Sequence, residues 1–403
     1  MKLLYVTAQY PNGTSESFLQ GEVASLVRAG VDVVVRPVRP TAAVRPDFGD
    51  TGAEVTTRRL MSKRNVGALA KWAAKTPLGL VRLLKLLAGD RAHLLKNLAV
   101  VPSAVEMGEY AAQHEIEHIH AHWLSTSSTA AMIAASVADI PFSVTAHRWD
   151  IVDGNLLAEK FRTASFVRFI SESGRSLTQE LHGLEPHRSA VIHLGVRRIG
   201  SSSHTPSSTS TLRILVPAAL KPVKGHRTLL DALSSLPDLD GVSVDLAGDG
   251  PLRDEIAAEL RVRGLDRHVR MRGNVPHGEL LEAVSRGDYD AVVLPSLDLG
   301  NGLHEGIPVS LMEAMSAGLP VISTRTGGIP ELLTDGVDGM LVEGGDSAML
   351  AAAIDRLRQD TCLRVQLGEN ALETISRRFD ADTNARALVH LMATTVPASE
   401  SDE

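Results

Sequence analysis

Two series of short apolar runs, each run followed by a stretch of helical periodicity, divide this chain and restrict its fold more than any other feature. The first series passes through KLLYVT, VDVVVRPV, EHIHAHW, PFSVTAH and FVRFIS to VIHLGV (191–196). The second passes through LRILVPA, VSVDLAGDG, HVRMRGNV, DAVVLPS and PVIST to MLVEGG. Strands alternating with helices imply parallel sheets. Between the series lies RRIGSSSHTPSSTST (197–211), whose Ser, Thr and Pro cannot pack a core. The expected class is α/β: two Rossmann-like, doubly wound parallel-sheet domains facing a cleft. Residues 1–196 would form the first and 212–379 the second, with 197–211 as linker. A closing helix near 380–396 would pack back on the first domain, and PASESDE (397–403) would be a frayed tail.

At 403 residues the chain exceeds one ordinary core, and 44% hydrophobic with 22% charged residues describes a globular protein. Its net charge of −7 gives no global footprint for nucleic acid. The single cysteine, Cys362, can form neither an internal disulfide nor a zinc cage. Met1-Lys2 opens directly into an apolar strand, no run of about eighteen apolar residues occurs, and a cytoplasmic protein is expected. The exception to the mixed surface is Arg58–Lys96, with ten Lys or Arg and one acid, Asp90, interleaved with Leu, Val, Ala and Trp72. Basic amphipathic helices here would suit an anionic membrane surface, so peripheral attachment is the companion expectation; a solvated helix pair packed on the first domain is the alternative.

The segment HEGIPVSLMEAMSAGLPVIS (304–323) carries the chemistry. Glu305 and Glu313 lie eight residues apart, one in a Gly-containing turn and one inside the following helix, with Gly306, Ile307, Pro308 and Val309 after the first. Carboxylates accept from sugar hydroxyls, and amides at a helix start face phosphate oxygens. The competing explanation is a capping box, Ser310 to Glu313, which would make Glu313 a helix-start residue only. Strand–loop–helix–strand order puts this loop where ligands of open α/β sheets bind.

Lys221, Lys224 and Gly225 follow the strand LRILVPA, where a lysine can neutralise phosphate and a glycine lets backbone approach. Asp249, in the Gly-Asp-Gly-Pro turn, either shapes the turn or touches a base or ribose. Gly13, in the first strand's Pro-Asn-Gly loop, also points to a ligand crevice, with Ser15 as cap and Gly30 as stop of the next helix. His118, His120 and His122 share one strand face, but no carboxylate partner is evident and no metal is expected. His147 ends PFSVTAH, placed to meet a ligand from the first domain or to anchor its loop. Serine hydrolase, zinc protease and P-loop NTPase classes are set aside; neither G-x-S-x-G nor G-x-x-x-x-G-K-[ST] occurs.

With VKGH, LAGDGPLRDEI, VRMRGNV, AVVLPS and EGIPVSLMEAMSAGLPVISTRTGGIPELL following one another in the family's order, the chain resembles a glycosyltransferase of family 4, the retaining GT-B type. AQYPNGTSESFLQGEVASLVRAG, HIHAHW, FSVTAHRWDI and FISES resemble the subgroup that builds bacterial exopolysaccharides of the colanic-acid type. The resemblance implies retaining transfer from a nucleotide-diphosphate sugar without an obligatory metal or other cofactor. It places Glu305 near the reacting carbon, Gly306 to Val309 on sugar hydroxyls and diphosphate, and Glu313 on the ribose. Lys224 would take the diphosphate and His147 the sugar. The leaving diphosphate would take the acceptor's proton, so no dedicated base is needed. The family's arginine five residues before the phosphate lysine is replaced by Ala219, for which Lys221 would have to compensate. The acceptor is a lipid-linked glycan or a small molecule. A natural-product glycosyltransferase, an epimerase or phosphorylase on the same scaffold, and a non-catalytic sugar-nucleotide-binding regulator stay open.

Overall fold

The computed structural model describes residues 1–10, 18–39, 51–200 and 211–395. Gly13, Ser15, most of the expected linker and the 397–403 tail lie outside these residues. The described chain divides into two units, Met1–His193 with Ala381–Glu403, and Leu194–Asp380.

In the first unit the strands are β1 (Lys2–Thr7), β2 (Asp32–Pro37), β3 (Glu54–Val55), β4 (His118–His122), β5 (Phe142–Ala146), β6 (Val167–Phe169) and β7 (Ser189–Val191). They form one parallel sheet in the order β3-β2-β1-β4-β5-β6-β7. The order reverses between β1 and β4, the switch point at which such sheets bind ligands. One face packs Leu4, Val6, Ile119, Ala121 and Val144 against the helices Leu94–Gln113 and Thr126–Ala138. The other packs Leu3, Tyr5, Val33 and Val35 against Phe18–Arg28 and against the last helix, Ala381–Thr394, through Ala385, Leu388 and Met392. The near-continuous burial of these strands is what a sheet covered on both faces requires. The two-residue strand β3 has no counterpart in the sequence reading; its residues are both exposed.

The second unit contains β8 (Leu212–Pro217), β9 (Val242–Ala247), β10 (Val269–Gly273), β11 (Ala291–Leu294), β12 (Val321–Thr324) and β13 (Met340–Val342). They pair in parallel as β10-β9-β8-β11-β12-β13, so the switch point falls between β8 and β11. The loops after these two strands carry Lys224 and Glu305. No described helix is long and apolar enough to cross a membrane.

Candidate functional site

In the second unit the loop after β8 ends in a short 3-10 turn, Pro222–Lys224, followed by Gly225. Gly225 has φ +67°, and a Cβ there would lie 1.7 Å from the Pro295 carbonyl oxygen, so only glycine fits. That approach, together with Leu297 N donating to Val223 O (2.8 Å), ties the β8 loop to the β11 loop. The Lys224 Nζ then reaches Glu305 Oε1 at 2.9 Å, with 19% and 15% of the two side chains exposed. Lys221 is exposed and makes no ion pair among the described residues. Lys224 is therefore the cation that Glu305 holds.

The backbone of Glu305 rests on a glycine pair. A Cβ on Gly327 (φ +53°) would meet Glu305 O at 1.9 Å, and Gly328 N donates to that oxygen at 3.3 Å. Gly306 differs: its φ is not positive, and a Cβ would meet nothing within 4 Å, so it leaves open space instead of relieving strain. The amides of Gly306, Ile307 and Val309 donate to no described acceptor, and Ile307 and Pro308 are buried beneath them.

Glu313 sits in the helix Val309–Ser316, whose N-cap is Pro308 with no side-chain cap bond. Ser310 is thus already helical, and the capping-box explanation of Glu313 fails. Instead Glu313 Oε1 accepts from His277 Nε2 at 2.8 Å. This hydrogen bond raises the His277 pKa against the opposing effect of burial. Sequence reasoning missed His277; only its place at the start of the helix His277–Ser285, after β10, could have flagged it.

Asp249 behaves as a turn residue: its Oδ1 accepts from Gly250 N and its Oδ2 from Arg253 Nη1, each at 2.8 Å, on an exposed surface. The flanking glycines are there for packing. A Cβ on Gly248 would lie 2.0 Å from Ala218 O, and one on Gly250 2.6 Å from Leu220 O. The Gly-Asp-Gly turn so backs the Ala218–Leu220 segment, where the arginine is missing.

In the first unit the three histidines of β4 do share a face, all buried. His118 Nε2 and His120 Nδ1 each lie 2.8 Å from Ser143 Oγ, and His120 Nε2 lies 2.8 Å from Thr145 Oγ1. Burial pushes His118 down to about 4. A carboxylate partner does exist, contrary to the sequence reading: Glu22, from the helix Phe18–Arg28, comes within metal-ligand range of His120 and His122. Its oxygens are already committed. Glu22 Oε1 accepts from Tyr5 Oη at 2.8 Å and lies 3.2 Å from His122 Nδ1, while Oε2 accepts from Arg168 Nη1 at 2.6 Å. Burial raises the Glu22 pKa, but Arg168 and His122 outweigh it and hold the carboxyl well below its usual range. Glu22, Tyr5, His122 and Arg168 thus partner one another, the form in which buried charge is tolerated, while His118 Nδ1 is buried without a hydrogen-bond partner.

His147 stands at the carboxyl end of β5, as the sequence suggested, but its imidazole is engaged from below. Its Nε2 is 2.7 Å from His122 Nε2, the Trp123 ring stacks at 3.9 Å, and Asp150 Oδ1 accepts from its backbone N at 2.7 Å. Burial and the neighbouring His122 keep it neutral, well below the ordinary imidazole value. The string H-E-x-x-H, a zinc-protease signature, does occur at His114–His118. His114 caps the end of a helix, Glu115 has φ +56° and His118 begins β4, so no helical face joins the two histidines.

Residues 203–374 match the family described as glycosyl transferases group 1, and the chain is similar along its length to glycosyltransferases, with the GT-B fold. The amylovoran biosynthesis glycosyltransferase AmsK of Erwinia amylovora is 26% identical, covering 97% of this chain and 99% of its own. The colanic acid biosynthesis glycosyltransferase WcaL of Escherichia coli is also 26% identical over the same shares. Among solved structures, Anabaena HepE in complex with UDP and glucose superimposes with a TM-score of 0.72 at 20% identity, covering 98% of this chain and all (100%) of that one.

Proposed function

We propose that this glycosyltransferase moves a sugar from a nucleoside-diphosphate sugar onto a growing bacterial exopolysaccharide intermediate, with retention at the anomeric carbon. The observation that carries the reading is the Lys224–Glu305 pair at the switch point of the second sheet, beside unengaged amides. Lys224 and Glu305 neutralise each other across 2.9 Å. A donor diphosphate replaces Glu305 on Lys224, and the released carboxylate turns to the sugar hydroxyls. The amides of Gly306, Ile307 and Val309 meet oxygens of the sugar and diphosphate, and Glu313 accepts from the ribose. The leaving diphosphate takes the acceptor's proton, so the reaction needs no protein base and no metal or other cofactor. The names of AmsK and WcaL support an exopolysaccharide, and the UDP bound by HepE supports the donor class.

The acceptor in this reading is lipid-linked. Exposed Leu78 (74%), Val81 and Leu84 share the helix Pro77–Gly89 that follows the lysine-bearing Lys63–Lys75, which suits a cytoplasmic protein resting on an anionic bilayer. Lys71→Glu/Lys75→Glu should abolish flotation with anionic vesicles; unchanged recovery would remove this part.

A thermal-shift panel of UDP, GDP and ADP sugars tests the donor, since a ligand bound by the native state raises its apparent stability. At least one should stabilise the wild type and not Lys224→Ala. Stabilisation by none, or equal stabilisation of both proteins, would defeat the assignment.

A further inference from the structure

The strand β2 carries Arg36 to the carboxyl edge of the first sheet with only 1% of it exposed. Its Nη2 pairs with Glu106, equally buried, from the helix Leu94–Gln113. One cation and one carboxylate complete such a pair, yet two more arginines close on the same acid. Arg58 Nη1 lies 3.2 Å and Arg64 Nε 3.0 Å from Glu106 Oε1. Neither is aligned to donate, because that oxygen has no hydrogen-bond partner. Arg36 Nη1 is likewise buried without one. Among the described residues, three guanidiniums against one carboxylate leave uncompensated positive charge in partly dry surroundings, a costly state without a counter-anion.

The adjoining helix sharpens the imbalance. Lys63–Lys75 begins with Lys63 and Arg64 and has no acid in its first turn. Cations there oppose the macrodipole, whereas an anion would be favoured. Arg36 Cζ lies 5.1 Å from the centre of the Tyr110 ring, and of the other described acids felt at that tyrosine Asp32 pairs with Lys2 at 3.9 Å, while Glu54, exposed, accepts from the neutral Thr56 Oγ1 at 3.1 Å and pairs with none of the three arginines.

We propose that Arg36, Arg58 and Arg64, at the start of this helix, form a phosphate-binding subsite of the first unit. It takes a phosphate ester on the acceptor or on the lipid that carries it. Arg36 is the fixed floor. Arg58 and Arg64, 24% and 55% exposed, turn from Glu106 to grip the phosphate oxygens in the fork geometry that guanidinium provides. Only the word acceptor rests on the transferase reading; the anion site stands without it.

Isothermal titration of the full chain with inorganic pyrophosphate tests it. Two binding events are expected. Arg58→Gln/Arg64→Gln should weaken one by about tenfold or more, the loss expected for charge-assisted hydrogen bonds. Lys224→Gln should weaken the other, so a null result there would sink the donor site and leave this subsite intact. Arg261→Gln/Arg267→Gln, which removes equal charge from exposed positions of the second unit, should change neither. An unaltered affinity in the Arg58/Arg64 variant, or equal weakening by the control, overturns the proposal. Vesicles of phosphatidylcholine with and without phosphatidic acid then identify the source. Phosphatidic-acid-dependent binding lost in the variant assigns a lipid headgroup; loss of the pyrophosphate event alone assigns a soluble phosphate.

Discussion

In the first unit Glu22 meets Arg168, Tyr5 and His122 with 9% or less of any of these residues in water, whereas in the second unit Lys224 and Glu305 meet with 19% and 15% exposed. Glu22 has both oxygens committed to donors; the Glu305 loop instead presents amides that donate to no acceptor among the described residues. A buried, fully partnered network resists exchange, because removing any member leaves a desolvated charge behind. A pair that keeps part of its surface in water costs less to open than a fully buried one. Rich polar chemistry alone therefore does not mark the site, and it is the incompletely satisfied pair that suits a ligand.

The comparison can be broken most forcefully at Glu22. Glu22→Gln should cost about 3–5 kcal/mol of folding stability, since Arg168 is left buried and uncompensated. Urea denaturation measures this, and a loss below about 1 kcal/mol would mean the network is as exchangeable as the second unit's pair. Lys224→Ala should do the opposite. Transfer should fall by about 10²–10³ for loss of a preorganised contact to developing charge, while stability changes by no more than about 1 kcal/mol. Gly225→Ala should destabilise by at least about 1 kcal/mol, because φ +67° and the Pro295 carbonyl both exclude a side chain; calorimetry reads the melting shift.

The smallest effect is a pH dependence. The His277 pKa is raised in the folded state by its bond to Glu313, so its contribution is fully present below the ordinary imidazole value of 6.5. It is lost as pH rises through the folded value. Stability of wild type relative to His277→Asn should therefore decline across neutral pH, and a flat difference between pH 5 and 9 would exclude the ion pair.

The sheets were largely legible because apolar runs and helical periodicity are set by burial on both faces, which a single sequence records directly. Exposed β3 escaped for the same reason: two residues at an edge bury nothing and leave no pattern. Glu305, Glu313, Lys224 and Gly225 were singled out by spacing and turn chemistry, and the fold brings Lys224 onto Glu305. His277 was not, since its partner is 36 residues away and only the fold brings them together. Glu22 was overlooked likewise, 100 residues from His122. The alternating histidines of β4 were correctly placed on one face, but whether that face meets metal, water or Ser143 and Thr145 is decided by neighbouring strands.

The most direct measurement is a crystal structure with whichever nucleoside diphosphate gives the largest thermal shift. The account predicts Lys224 Nζ on a phosphate oxygen, Glu305 separated from it, and ribose hydroxyls on Glu313. A nucleotide bound elsewhere, with Lys224 still held by Glu305, would contradict it.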